Sequence, residues 1–225
     1  MGIFNSFNKI IFNYTLLTLV VFTMFFISFF PVSWHGTMYD YCFTLIYINA
    51  ALTMDKYRKQ ILFTAFVLMI LELGSTWMNL TIFSYISKAL NIVFFVYIVF
   101  NLIYMIANSK KVNTKVILDS INGYLLLGFV FSLMLAVAML YDSNAFKFPE
   151  GLILDTNNQV DSFSVYLYYG LVTLSTLGYG DIVPTMPFSK SLAILTSISG
   201  QLYIAIIIAM LVGKFASQKN NEQEN

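Results

Sequence analysis

The fold depends most on the stretch Thr173-Leu174-Ser175-Thr176-Leu177-Gly178-Tyr179-Gly180-Asp181. It ends an apolar segment, Phe163–Ser175, which is too short to cross a bilayer, because a membrane-spanning helix needs about 20 apolar residues. Glycines and Pro184 follow instead of a second long apolar run, which is typical of a re-entrant segment. Gly178 and Gly180 tolerate positive φ because they lack a Cβ. We therefore expect a short helix followed by a chain that returns in an unusual extended conformation.

The composition places this segment in a membrane protein. Of the 225 residues, 59% are hydrophobic and 10% are charged, whereas soluble domains are about 45–50% apolar and about 25% charged. These values exclude a disordered chain, a nucleic-acid-binding module and a typical cytosolic enzyme. The single cysteine, Cys42, excludes an internal disulfide and disfavours a cysteine-based metal site. We expect membrane lipids as partners and neither a nucleic acid nor a small-molecule substrate.

Six apolar runs are long enough, or nearly long enough, to span the bilayer. They are Ile10–Phe30, Met38–Met54, Ile61–Leu80, Ala89–Ala107, Ile121–Tyr141 and Ser191–Gly213. The second is the weakest, because it is short and carries Asp40 near its start. The sequence therefore predicts an all-α membrane protein with six transmembrane helices and the re-entrant segment between the fifth and the sixth.

The cations predict the direction of these spans. With six spans, nine of the 12 Lys and Arg residues lie on the side of the N-terminus and three lie on the opposite side. Cytoplasmic loops carry the excess of Lys and Arg, so both termini are expected in the cytoplasm. The protein is then a multi-pass protein of the cell membrane.

The motif Thr-x-Gly-Tyr-Gly-Asp at residues 176–181 resembles the selectivity filter of potassium channels. In such a filter, rings of backbone carbonyls from four copies replace the hydration shell of the ion. Leu177 stands where the family usually has Val or Ile, and Tyr179 differs from the Asp of non-selective relatives. The resemblance implies that K⁺ is bound by the Thr176 hydroxyl and carbonyl and by the carbonyls of Leu177, Gly178 and Tyr179. A glycine-rich turn between two helices is the alternative interpretation.

Residues on both sides of the motif extend the resemblance. Tyr168 and Tyr169 occupy the position of paired Trp residues that brace the filter in many members of the family. They are therefore expected to support it together with Gly180 and Asp181, and their hydroxyls are expected to reach Asp181 and Tyr179. The alternative role for the two tyrosines is anchoring at the membrane interface.

In the last span, Gly200 aligns with the hinge glycine of the family's inner helix. Membrane helices also use Gly for close packing, so a hinge and a packing role both remain open. Gln201 follows, facing a water-filled cavity or bonding a neighbouring helix. Ile204 and Ile208 lie on about the same helical face, and rings of Ile could form a gate that closes by dewetting. Ordinary contacts with lipid or another helix are the alternative.

The first four spans resemble voltage-gated channels in layout only. A voltage sensor needs several cations on the fourth span, and Ala89–Ala107 contains no Lys or Arg. We therefore expect an opening that is not driven by a charged fourth helix. Glu72 lies deep in the third span and is interpreted either as a structural side chain or as a pH-sensitive switch, since acids inside membranes are usually functional.

The expected organisation has three parts. Residues 1–115 form a four-helix membrane domain, residues 116–216 form a pore domain with a selectivity filter, and residues 217–225 form a short polar tail. Because one chain supplies one pore loop, a four-fold filter requires a homotetramer. The expected function is passive, potassium-selective transport. The alternatives are a non-conducting regulatory or scaffold subunit and a secondary transporter.

Overall fold

Seven helices form nearly all of the part of the chain that the structure describes. The computed structural model describes residues 2–53, 58–77, 81–109, 112–149 and 163–223. The helices are α1 (Gly2–Phe25), α2 (Val32–Thr53), α3 (Arg58–Trp77), α4 (Thr81–Ala107), α5 (Thr114–Tyr141), α6 (Phe163–Leu174) and α7 (Pro187–Gln223). A 3-10 turn at Ile27–Phe29 follows α1, and two short strands, β1 (Phe146–Lys147) and β2 (Val183–Pro184), flank α6.

Four stretches of the described helices are long and apolar enough to cross a membrane. They are Ile10–Phe29, Ala89–Ala107, Thr114–Tyr141 and Pro187–Ser217, and two shorter apolar helical stretches are Lys59–Leu71 and Phe163–Leu174. The expectation of a helical membrane protein is therefore confirmed. The count of six spans stays a prediction, because α2 and α3 do not reach that level over the described residues and the last residues of the second and third predicted runs lie outside them.

The predicted runs mark the apolar parts of the helices and miss their polar ends. The fifth run was expected to begin at Ile121, whereas α5 begins at Thr114. Asn113 caps this end, because its side-chain oxygen accepts a hydrogen bond of 3.0 Å from the Val116 amide. One turn further on, Lys115 and Asp119 form an ion pair of 2.7 Å. Hydropathy does not detect such a polar first turn.

The contacts divide the chain into two compact units. The first contains Met1–Phe22 and Asp40–Gly123, and the second contains Thr23–Tyr39 and Tyr124–Asn225. In the first unit, the side chains of Leu16, Ile46 and Phe95 are completely buried. The predicted domain division at residues 115 and 116 stays a prediction.

In the first unit, a buried amide joins α1 to the start of α5. The Nδ2 of Asn122 donates a hydrogen bond of 3.2 Å to the main-chain carbonyl of Asn13. Both side chains are completely buried. This bond helps to fix the register between α1 and α5. Hydropathy alone does not predict which residues of the two helices meet.

In the second unit, β1 pairs antiparallel with β2, with Phe146 opposite Pro184. The amide of Thr185 also donates to the carbonyl of Ala145 at 3.0 Å. Side chains from α5, β1, α6 and the chain before β2 form a small apolar core around this pairing, namely Leu135, Ala138, Met139, Ala145, Phe146, Tyr169 and Ile182. The pairing thereby attaches the segment after α6 to the end of α5.

Candidate functional site

The site begins at the end of α6, where the helix is closed by a Schellman motif. The amide of Thr176 donates to the carbonyl of Thr173 at 3.0 Å, and the amide of Leu177 donates to the carbonyl of Val172 at 3.0 Å. This motif requires a left-handed residue just after the helix, which is usually Gly. Here that residue is Thr176, with φ 60°. A β-branched residue in this region is strained, and such strain is often found at functional sites.

Positive φ recurs at every second residue after the helix. Gly178 has φ 53° and Gly180 has φ 79°, while Leu177 and Tyr179 between them do not have positive φ. In an ordinary strand, successive residues face opposite sides. When left-handed residues alternate with ordinary ones, successive peptide planes turn the same way, so their carbonyls can line one side of the chain. That side can offer a row of oxygens to a cation.

This segment is open in the single chain. Every residue from Ser175 to Asp181 is exposed, including Leu177 at 57% and Tyr179 at 67%. No heavy atom of the described chain lies within 4 Å of a Cβ built on Gly178 or on Gly180. The glycines are therefore needed for their backbone conformation and not for lack of space.

Tyr168 connects α6 to the far end of the segment. Its hydroxyl donates a hydrogen bond of 2.6 Å to Oδ2 of Asp181, and its ring is stacked on that of Tyr179, with 6.5 Å between centroids and 8° between planes. The donated hydrogen bond lowers the pKa of the Asp181 carboxyl below its ordinary value of 3.8. Asp181 is therefore ionised at neutral pH and holds the returning chain against the helix.

Tyr169 has a different environment from Tyr168. It is 8% exposed, and its ring lies edge-on to Phe146 with 5.3 Å between centroids. It belongs to the same apolar core as Ile182, the residue after Asp181. Tyr169 therefore anchors the chain beyond the motif by packing, whereas Tyr168 contacts the motif itself.

The helix α7 contacts the lower end of the segment through Gly200 and Gln201. A Cβ on Gly200 would collide with the main-chain carbonyl oxygen of Leu174, the last residue of α6. The next side chain reaches the motif, because Nε2 of Gln201 lies 3.4 Å from Oγ1 of Thr176. Ile204 and Ile208 further along α7 are exposed in the single chain, at 44% and 56%.

Comparison with known proteins matches this part of the chain to a family. Residues 123–217 match the family model described as "Ion channel". This part of the chain is therefore similar to an ion-channel domain. The match includes α6, the motif and the part of α7 that packs against them. The contacts described above therefore lie within the matched residues.

The relatives that resemble this domain are potassium channels by name. The chain is 31% identical over 91 residues to the potassium voltage-gated channel subfamily A member 10 of Mus musculus, covering 40% of this chain and 17% of that protein. It is 36% identical over 91 residues to the potassium voltage-gated channel protein Shal of Drosophila melanogaster, covering 40% and 15%. For the protein shk-1 of Caenorhabditis elegans, the identity is 29% over 101 residues, covering 45% and 18%.

These comparisons confirm the expected resemblance to the potassium channel family over this part of the chain. The chain spans less than a fifth of the length of these relatives. No solved structure matches the chain. The matched family is described as an ion channel, which is not a class of enzymes.

The sequence interpretation missed the residues that seat α6 within the channel domain. A Cβ on Gly170 would collide with Oγ of Ser132, and a Cβ on Gly128 would lie 2.6 Å from a methyl group of Leu171. Gly128 and Ser132 are four residues apart on α5, a spacing of small residues that allows close helix packing in membranes. That spacing is the signal in the sequence that could have identified this contact.

The remaining candidate, Glu72, lies on α3 outside the channel domain. Its side chain is outside the described residues, so its predicted role as a switch stays a prediction. Among the described residues, no group of three or more His, Cys, Asp or Glu side chains could hold a metal ion. The cation-binding groups proposed for the domain are backbone and hydroxyl oxygens of the motif.

Proposed function

We propose that the protein is a potassium-selective channel whose filter is formed by Thr176, Leu177, Gly178 and Tyr179. The observation that carries the proposal is the alternation of positive φ along an exposed segment, located within an ion-channel domain. K⁺ is the permeant ion and binds to the carbonyl oxygens and to the Thr176 hydroxyl. Conduction proceeds by knock-on between adjacent sites, since each site must bind the ion and also release it.

The functional unit is a homotetramer. One chain contributes one such segment, and a ring of carbonyls requires several copies around an axis. The exposure of residues 175–181 in the single chain supports this assembly. The helix α7 also supports this assembly, because only 17% of the residues in its most apolar stretch are buried within one chain. The remaining faces are covered by other copies and by membrane lipids.

The other parts of the proposal concern topology and gating. Six spans place both termini in the cytoplasm of a cell-membrane protein, with α6 re-entrant from outside. Opening is not driven by a charged fourth helix, because Ala89–Ala107 contains no Lys or Arg. Ile204 and Ile208 are the proposed gate residues, and residues 1–115, 116–216 and 217–225 are the proposed parts of the chain.

Flux measurements test the function directly. Purified protein is reconstituted into liposomes loaded with KCl or with NaCl, and dissipation of the gradient is followed with and without external barium. We expect barium-sensitive potassium flux and little sodium flux. Tetramers that conduct neither ion would favour the non-conducting scaffold subunit, and saturable flux coupled to a second solute would favour the transporter.

Tyr168→Phe tests the support of the filter. In the wild type, the hydrogen bond from Tyr168 to the ionised Asp181 carboxylate is present at pH values above 3.8, the ordinary pKa of the group. It is lost as the pH falls through the lower pKa of Asp181 in the folded protein. Without the donated hydroxyl, this pKa returns towards 3.8. Because this hydrogen bond is absent in Tyr168→Phe at every pH, we expect its potassium flux to be lower than that of the wild type at neutral pH and to lack the decline that the wild type shows on acidification.

The matched control is Tyr141→Phe. Tyr141 is also an exposed tyrosine of the second unit, at 83%, and its ring contact with Phe188 does not need the hydroxyl. Its pH profile should coincide with that of the wild type. Superimposable profiles for Tyr168→Phe and the wild type would show that the hydrogen bond does not support the filter.

A further inference from the structure

We propose that Gln201 is a positioning residue for the filter, which holds the Thr176 hydroxyl in the orientation that binds the ion. The inference rests on the proposed function and adds a residue to it. Among the proposed ion-binding groups, the Thr176 hydroxyl is the one that belongs to a side chain, and the others are backbone carbonyls. A carbonyl is oriented by the main chain, whereas a hydroxyl turns about its own bond and needs a partner to hold it.

The close packing of Gly200 places Gln201 at this position. Because Gly200 has no side chain, the backbone of α7 approaches the carbonyl oxygen of Leu174. Leu174 is two residues before Thr176, so this contact sets the position of α7 along its own axis relative to the start of the motif. The next side chain on α7 then reaches Thr176, with 3.4 Å between Nε2 and Oγ1.

The exposures of the two residues agree with this role. Gly200 is buried against α6, whereas Gln201 and Thr176 are both exposed in the single chain. The amide and the hydroxyl thus lie together on the open side of the motif, where the axis of the proposed tetramer passes. A polar side chain placed there lines the ion path and does not meet lipid.

The hydrogen-bonding inventory of the two groups shows what the contact does. When the Gln201 amide donates to Oγ1, the oxygen of Thr176 keeps one lone pair and its own proton is free to turn away from the axis. The lone pair can then face a cation. Without the donor, the hydroxyl has no fixed partner in this contact, and its proton can turn towards the ion and repel it.

Three variants separate this role from a merely structural one. Gln201→Met has a similar length and cannot make the hydrogen bond. Gln201→Glu keeps the length and allows the Thr176 hydroxyl to donate to the carboxylate. Leu202→Met places the same new side chain at the next position of α7, where the residue is exposed and makes no contact used in the site.

The readout is the permeability ratio of Na⁺ to K⁺, taken from reversal potentials in planar bilayers with KCl on one side and NaCl on the other. We expect the ratio in Gln201→Met to rise roughly twofold to tenfold, the range that the loss of one hydrogen bond produces. Gln201→Glu and Leu202→Met should keep the wild-type ratio. Thermal unfolding and size-exclusion profiles of all three should match the wild type.

The outcomes distinguish this inference from the function on which it rests. A wild-type ratio in Gln201→Met, with a selective wild type, overturns the inference alone. A wild-type protein without selectivity overturns the proposed function and the inference together. If Gln201→Met does not assemble, a cryo-electron microscopy map of the wild type decides. The Gln201 amide within hydrogen-bond distance of the Thr176 hydroxyl supports the inference, and an amide turned away from it overturns it.

Discussion

Gly200→Ala is expected to destabilise the channel domain by about 1–3 kcal/mol, the range found for overpacked sites, and to abolish potassium flux. The added Cβ would collide with the main-chain carbonyl of Leu174. Main chain at a helix end cannot turn aside as a side chain does, so α7 must move away from α6. Leu174 is followed by the Schellman motif, and the displacement therefore reaches Thr176. Thermal unfolding in detergent and liposome flux measure the two effects.

Gly213→Ala is the matched control for this change. Gly213 lies on the same helix, and a Cβ there would have no heavy atom within 4 Å in the described chain. Since Ala favours a helix over Gly by about 1 kcal/mol, this variant should be as stable as the wild type or slightly more stable.

The pair also separates the two roles that the sequence leaves open for Gly200. A packing role predicts loss of stability in Gly200→Ala alone. A hinge role predicts that the variant keeps its stability and changes only the probability of opening. An unfolding temperature equal to that of the wild type would therefore contradict the packing role.

Gly178→Ala is expected to reduce potassium-selective flux by about fivefold to thirtyfold. Gly178 has φ 53°, and an L-residue in this left-handed region costs about 1–2 kcal/mol. The chain can relieve this cost by leaving positive φ, which turns a carbonyl away from the ion path. The measurement is the initial rate of barium-sensitive potassium flux per reconstituted tetramer.

Gly36→Ala is the control for Gly178→Ala. Neither glycine has a heavy atom of the described chain within 4 Å of an added Cβ, but Gly36 is helical and does not have positive φ. The two substitutions add the same methyl group with equal space and differ in backbone conformation. Wild-type flux in Gly178→Ala would show that the alternation of φ is not required for conduction.

The local conformation of the filter segment was accessible from the sequence because it depends on neighbouring residues. Phe163–Ser175 was expected to be a short helix, and α6 spans Phe163–Leu174. The positive φ of the glycines follows from their missing Cβ. The positive φ of Thr176 was not predicted, because propensity disfavours it for a β-branched residue. It arises from hydrogen bonds back to α6, which a residue-by-residue analysis does not include.

The contacts between helices were less accessible. Tyr168 and Tyr169 are adjacent and chemically identical, so the sequence assigns both the same role. The structure separates them, because neighbouring residues of a helix point about 100° apart. Tyr168 then meets Asp181, and Tyr169 meets Phe146. Which tyrosine contacts Phe146 depends on the position of β1, and the pairing of β1 with β2 fixes that position.

The sequence alone predicts a helical membrane protein and contains, at residues 176–181, a motif that resembles the potassium-channel filter. The first conclusion follows from composition and the second from the resemblance to a known family, and neither needs knowledge of the rest of the fold. Only the tertiary structure decided that Gly200 lies against Leu174 and that Gln201 reaches Thr176. The physical reason is that helix packing depends on the register and rotation of whole helices. A shift of one residue along α7 would have placed another side chain at the motif.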